Sequence, residues 1–77
     1  MKTIPLDAVS YANLSIGRDL KKMRHEAGLP QAQVARKANI RPEMLCRIES
    51  GRGNPTVATI TRIVKAIERL SGQRLLR

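Results

Sequence analysis

The chain has 77 residues, and its 15 Lys and Arg against 6 Asp and Glu give a formal net charge of +9 at pH 7. This charge predicts a polyanionic partner, nucleic acid first and an anionic membrane surface second. Tyr11 is the only aromatic residue, which argues against readers of RNA or single strands and against helices that insert bulky apolar side chains into a membrane.

The length fits one domain, which would bury roughly 60% of its unfolded surface. The single cysteine, Cys46, allows no intrachain disulfide, and residues 1–5 are too poor in apolar side chains for an export sequence. The sequence has no cluster of Cys and His, no glycine-rich phosphate loop and no nucleophile with a base, and the lone His25 is expected at the surface. We therefore expect a cytoplasmic protein with no membrane contact, metal, cofactor or enzymatic activity.

The N-terminal part of the chain predicts an arm followed by a helix. Residues 1–14 contain Pro5 and a mixed pattern, so we expect them to be loosely ordered or to lie against a partner. Ser15 suits the N-cap of helix 1, and Gly28 marks the end of that helix. The apolar residues at helical spacing are Ile16, Leu20, Met23 and Ala27.

Residues 31–49 predict two short helices joined by a tight turn. The small apolar faces consist of Val34, Ala35 and Ala38 in helix 2 and of Leu45 and Ile48 in helix 3. Asn39 tolerates left-handed backbone angles and can end helix 2. Pro42 suits the first position of helix 3, at about 42–50, and biases Arg41 toward extended angles. Small facing side chains allow the close crossing that such a turn requires.

A loop and a fourth helix follow. Gly51 can end helix 3 in the left-handed region, Asn54-Pro55 prevents simple continuation, and Thr56 can cap helix 4. The apolar stripe of helix 4 consists of Ile60, Ile63, Val64, Ile67 and Leu70. We place the folded domain at residues 15–71 and a C-terminal tail at residues 72–77.

Several spaced motifs between residues 16 and 67 resemble the Cro/C1-type (XRE) helix-turn-helix family. They lie at residues 16–24, 29–35 and 47–55. The resemblance implies an all-α, compact four- to five-helix lambda-repressor-like DNA-binding domain, in which helix 3 enters the major groove of double-stranded DNA.

The sequence departs from the family at the helix caps. Pro30 and Arg41 stand where the family commonly has Ser or Thr, and Asn39 stands where it often has Gly. Because Arg41 cannot accept backbone N–H bonds, the start of helix 3 would rely on the charge of Glu43. We expect these departures to affect base preference more than the fold.

The predicted base-contacting residues of helix 3 are Arg41, Pro42, Glu43 and Arg47. Arg47 follows Glu43 by four residues, so the two side chains lie on the same face of the helix. Arg47 can then donate two hydrogen bonds to a guanine, while Glu43 accepts one from the amino group of a cytosine. The alternative is an exposed ion pair between them, worth about 0.2–0.5 kcal/mol. Pro42 and Met44 could contact thymine methyl groups, although Met44 equally fits the core.

The resemblance also implies phosphate contacts. Gln31, at the start of helix 2, would hold a phosphate and steady the recognition helix, at a helix end that suits an anion. Ser50, Arg52 and Asn54 would hold the backbone on the other side. The alternative for these three residues is an ordinary solvated loop.

Two further residues on helix 3 have other expected roles. In the family an Arg late in helix 1 pairs with a Glu at the end of helix 3, so the resemblance implies an Arg24–Glu49 ion pair that ties the two helices together. We expect Cys46 to be a small half-buried residue, the alternative being a thiol whose oxidation switches DNA binding.

Two classes of function fit these observations. The first is a sequence-specific DNA-binding regulator, expected to be a repressor that binds an inverted repeat as a homodimer. The second is an antitoxin, which binds a toxin protein and autoregulates its operon. Leu70, Leu75, Leu76 and the helix 4 stripe are candidates for the dimer interface.

Overall fold

The computed structural model describes the backbone of residues 8–72 and the side chains of residues 11–72. Within this range the chain forms four α-helices and no strand, which confirms the expected all-α class. The helices are α1 (Ala8–Glu26), α2 (Gln31–Ala38), α3 (Pro42–Glu49) and α4 (Val57–Ser71). The predictions made for residues 1–7 and 73–77, including those for Leu75 and Leu76, lie outside the described residues.

Helix α1 begins at Ala8, so the expectation that Ser15 caps it was wrong. Residues 8–14 of the expected arm are helical, and Ser15 is an exposed residue within the helix. The side chain of Leu14 lies against Gly51, and Asn13 Nδ2 donates to Asn54 Oδ1 at 3.3 Å. Contacts with the loop after α3 thus support a helix that starts earlier than its local cap signal indicates.

The turn between α2 and α3 has the expected backbone conformation. Asn39 adopts the left-handed region with φ 62° and ψ 44°, which ends α2. Arg41 is extended with φ −77° and ψ 146°, and Pro42 opens α3. As expected, Arg41 makes no side-chain cap bond, and Glu43 is the acidic residue of the first turn.

Helix α4 has a defined cap at each end. The backbone N–H of Thr59 donates to Thr56 Oγ1 at 3.1 Å, which confirms Thr56 as the N-cap. At the other end Gly72 has φ 74° and terminates the helix. Between these ends α4 packs mainly against α2, while α1 packs mainly against α3.

The hydrophobic core lies where the four helices meet. Its buried residues are Leu20, Val34, Ala35, Ala38, Leu45, Ile48, Ile63, Val64, Ala66 and Ile67. Ala66 was not part of the predicted stripe of α4, but it is buried and lines a groove together with Ala38 of α2. Because Ile63, Val64 and Ile67 are buried in this core, the centre of the α4 stripe is not available as a surface for dimerisation.

Candidate nucleic-acid interface

Helix α3 buries one face and exposes the other. Leu45, Ile48 and Glu49 are buried. The four predicted base-contacting residues, Arg41, Pro42, Glu43 and Arg47, are all exposed. Such a division is what a helix needs if it is to be held by its own domain and still present side chains to a groove of DNA.

The exposed side of α3 borders an open groove that ends at the loop before α4. Arg41, Glu43 and Arg47 line this groove together with Met44 and Asn54. Met44 is 47% exposed, so it is a surface residue and not part of the core. Among the described residues, Glu43 and Arg47 form no ion pair within 4.0 Å. Both charged groups are therefore exposed, and neither forms an ion pair with another described residue.

A buried ion pair holds α3 against α1. Arg24 Nε donates to Glu49 Oε2 at 2.6 Å, and Arg24 Nη2 donates to Glu49 Oε1 at 2.8 Å. The pair predicted from the resemblance is thus present, with the bidentate geometry that gives Arg–carboxylate pairs their specificity. Arg24 Nη1 also donates to the carbonyl of Leu29 at 2.8 Å, which fixes the segment leading into α2.

Gln31 joins the same network. Its Nε2 donates to Glu49 Oε1 at 2.9 Å, so the start of α2 is tied to the end of α3. Burial by itself would raise the pKa of Glu49, but the hydrogen bonds from Arg24 and Gln31, with the positive charges of Arg24 and His25, lower it below its ordinary value. Glu49 is consequently a carboxylate at neutral pH and can accept from both neighbours.

The N-terminus of α2 retains free capacity for an anion. Pro30 precedes the helix with extended angles and supplies no side-chain cap. The first N–H groups of α2 therefore receive no bond from a capping side chain, and the positive end of the helix dipole lies there. This geometry agrees with the phosphate contact expected near Gln31, which stays a prediction.

The three loop residues expected at phosphates are all exposed and have partners within the chain. Ser50 Oγ donates to the carbonyl of Cys46 at 2.9 Å, and Arg52 Nε donates to Ser50 Oγ at 3.1 Å. Asn54 accepts from Asn13, as described above. These bonds use one donor of the Arg52 guanidinium and orient its remaining N–H groups, so the loop is ordered by its own contacts.

Two residues, Arg62 and Gly17, have structural roles that the sequence pattern did not predict. Arg62 of α4 donates from Nε to the Ala38 carbonyl at 3.2 Å and from Nη2 to the Asn39 carbonyl at 3.0 Å, so it satisfies the end of α2. No local pattern signals a partner so far away in the chain. Gly17 sits where any Cβ would collide with the carbonyl of Ile48, and a glycine inside a helix is a signal that could have been noticed.

Cys46 differs from its expected environment. The structure places it in an exposed position on α3, so the expectation of a half-buried residue was wrong. The helical pattern put it beside Leu45 and Ile48, but α1 and α2, which pack against α3, bury Leu45, Ile48 and Glu49 and leave Cys46 exposed. The predicted surface position of His25 is confirmed.

Comparison with known proteins agrees with this geometry. Residues 15–76 match the family model described as "Helix-turn-helix domain". The chain is 35% identical over 54 residues to an immunity repressor protein of Bacillus phage phi105, an alignment that covers 70% of this chain and 38% of the repressor. It is 33% identical over 52 residues to the uncharacterised HTH-type transcriptional regulator y4dJ of Sinorhizobium fredii (strain NBRC 101917 / NGR234), covering 68% of each chain. No solved structure matches the chain significantly.

The fold and the exposed face of α3 define an all-helical domain of the helix-turn-helix class, with α2 and α3 as its two central helices. The chain belongs to the Cro/C1-type helix-turn-helix family of DNA-binding transcriptional regulators. In the part of the chain that the structure describes, no helix is both long enough and apolar enough to cross a membrane.

Proposed function

We propose that this regulator is a sequence-specific repressor that reads the major groove of double-stranded DNA with α3. The observation that carries the proposal is the exposed face of α3, with Arg41, Glu43 and Arg47 on one side and the buried Arg24–Glu49 pair on the other. The pair fixes the angle of the helix, and the free charged groups are the ones that recognise base edges. Repression is favoured because one relative is named an immunity repressor.

Arg41 and four exposed residues of α3 have proposed roles. Arg47 donates two hydrogen bonds to guanine O6 and N7, and Glu43 accepts from the amino group of a neighbouring cytosine. Each such contact discriminates between bases by about 1–3 kcal/mol. Arg41 reaches a further base at the start of the helix, and Pro42 with Met44 offers apolar contact to thymine methyl groups.

Phosphates on either side of α3 would hold this helix in register. Gln31 and the first N–H groups of α2 bind the backbone on one side, where the helix dipole attracts an anion. Ser50, Arg52 and Asn54 bind it on the other side. These contacts supply affinity without sequence information, so they set the position from which α3 reads the bases.

We further propose that two copies bind an inverted repeat, which places two α3 helices one turn of duplex apart, about 34–36 Å. Since Ile63, Val64 and Ile67 of the α4 stripe lie in the core, the contact between copies must use other apolar residues. Leu70, which lies at the edge of the core, is one candidate. Measurement of the molar mass in solution, alone and on the duplex, tests the dimer.

The decisive experiment is selection of bound duplexes from a random pool. We expect an enriched inverted repeat, and we expect Arg47→Ala to lose the preference at one base pair of each half-site. Lys22→Ala is the matched control, because Lys22 is an exposed cation of α1 outside the groove beside α3. Binding that depends on salt but not on sequence would contradict the proposal.

The antitoxin hypothesis makes a different prediction, since it requires capture of a toxin protein by a surface other than α3. A variant that keeps operator affinity but no longer binds such a partner would favour the antitoxin hypothesis.

We also propose that the protein acts without a cofactor or enzymatic activity. Its function requires access to DNA, and the cytoplasmic location expected from the sequence stays a prediction.

A further inference from the structure

The groove beside α3 continues around the turn between α2 and α3. A second groove shares Arg41, Met44 and Thr59 with the first and runs on to Arg36 and Arg62. A third groove shares Asn39 and Arg62 with the second and reaches Arg69 in the last turn of α4. The three grooves are therefore adjacent to one another and follow in order from the recognition helix to α4.

The part of this surface beyond α3 is strongly basic. Its cations, which we call the basic track, are Arg36, Lys37, Arg62, Lys65 and Arg69. No acidic residue lines the second or third groove among the described residues. Within that same part of the chain, no cation of the track has a carboxylate within 4.0 Å. The described lining of the second and third grooves thus carries a net positive charge.

Two features concentrate that charge. Arg62 is held in place by the carbonyls of Ala38 and Asn39, so its guanidinium cannot fold away from the surface. Lys65 and Arg69 lie four residues apart on α4 and are therefore neighbours on one face, where like charges repel each other. A surface that keeps repelling cations together is suited to a polyanion that spans several of them.

We propose that the basic track binds the phosphate backbone of DNA flanking the bases read by α3. The inference rests on the proposed function and extends the interface from the recognition helix to α4. Continuity favours DNA over an acidic protein segment, because the groove that holds Arg41 and Met44 leads directly to the track and one polyanion can occupy both. From Thr59 to Arg69 the groove follows α4 for roughly 15 Å, which corresponds to about four base-pair steps measured along the duplex axis.

The test measures the salt dependence of binding to the enriched duplex and to a scrambled duplex of equal length. We expect the double variant Lys65→Ala with Arg69→Ala to weaken binding to both duplexes by the same factor. Its slope of log K against log salt should be less steep by up to about 1.8, since each lost phosphate contact contributes about 0.9. Both side chains are exposed, so the variant is expected to fold.

Lys22→Ala is again the control, because it removes one exposed cation without touching the track. A slope for the double variant equal to that of the control overturns the proposal. Normal DNA binding combined with lost binding to a poly-glutamate peptide also overturns it, since the track would then serve an acidic protein segment. Failure of the proposed function can be distinguished from failure of this inference, because the wild-type protein would then enrich no sequence from the random pool of duplexes.

Discussion

Arg24 and Glu49 are 25 positions apart, yet Arg24 Nε lies 2.6 Å from Glu49 Oε2 and both side chains are buried. The pair joins α1 to the end of α3, and Gln31 adds the start of α2 to the same carboxylate. The orientation of the recognition helix therefore depends on one buried charge with three hydrogen bonds.

Removal of the Glu49 carboxylate should destabilise the folded protein. We expect Glu49→Ala to lower the free energy of unfolding by about 3–5 kcal/mol, because it leaves the buried Arg24 guanidinium without its carboxylate partner. Glu43→Ala is the matched control, an exposed acid on the same helix, and should lower the free energy of unfolding by no more than about 1 kcal/mol, the contribution of a charge at a helix N-terminus. Urea denaturation measures both, and equal midpoints for the two variants would refute the prediction.

Stability should also fall in acid. Because the pKa of Glu49 is lowered in the folded protein, its contribution to stability is complete above the unfolded pKa of about 4.3 and is lost as the pH falls through the folded pKa. Glu49→Gln, which cannot titrate, should show a weaker decrease of unfolding free energy across this window. A wild-type decrease no larger than that of the variant would contradict the assignment.

The close approach of α1 to α3 predicts an unusual effect of alanine. In a helix interior alanine is favoured over glycine by about 1 kcal/mol, but a Cβ at position 17 would press on the carbonyl of Ile48 and lie 3.0 Å from that of Glu49. We expect Gly17→Ala to destabilise the protein by about 1–3 kcal/mol. Thermal unfolding measures it against Ser15→Ala, an exposed site of the same helix that should be nearly neutral.

Substitutions of Arg47 and Arg52 should have different effects on DNA binding. We expect Arg47→Ala to lose about 1–3 kcal/mol of discrimination at a single base pair. Arg52→Ala should instead weaken binding to all sequences alike and reduce the salt slope by about 1. Affinities measured on the enriched duplex and on single-base variants separate the two effects, and a sequence-dependent loss for Arg52→Ala would argue against its phosphate role.

Much of the helix-turn-helix could be predicted because its signals are local. Asn39 takes left-handed angles, Pro42 opens α3 and Thr56 caps α4, since each depends on sterics or hydrogen bonds within a few residues. The base and phosphate contacts remain predictions, because the identity of a side chain on an exposed face does not by itself determine its ligand.

Local backbone preferences and composition were sufficient to predict the class of the fold, the turn between α2 and α3 and the strong positive charge. The start of α1 at Ala8, the close approach of Gly17 to α3 and the exposure of Cys46 are seen only in the packed helices. The same is true of the bonds from Arg62 to the end of α2 and of the position of the basic track beside the groove of α3. These features depend on residues that are distant in the chain and meet only when the helices pack.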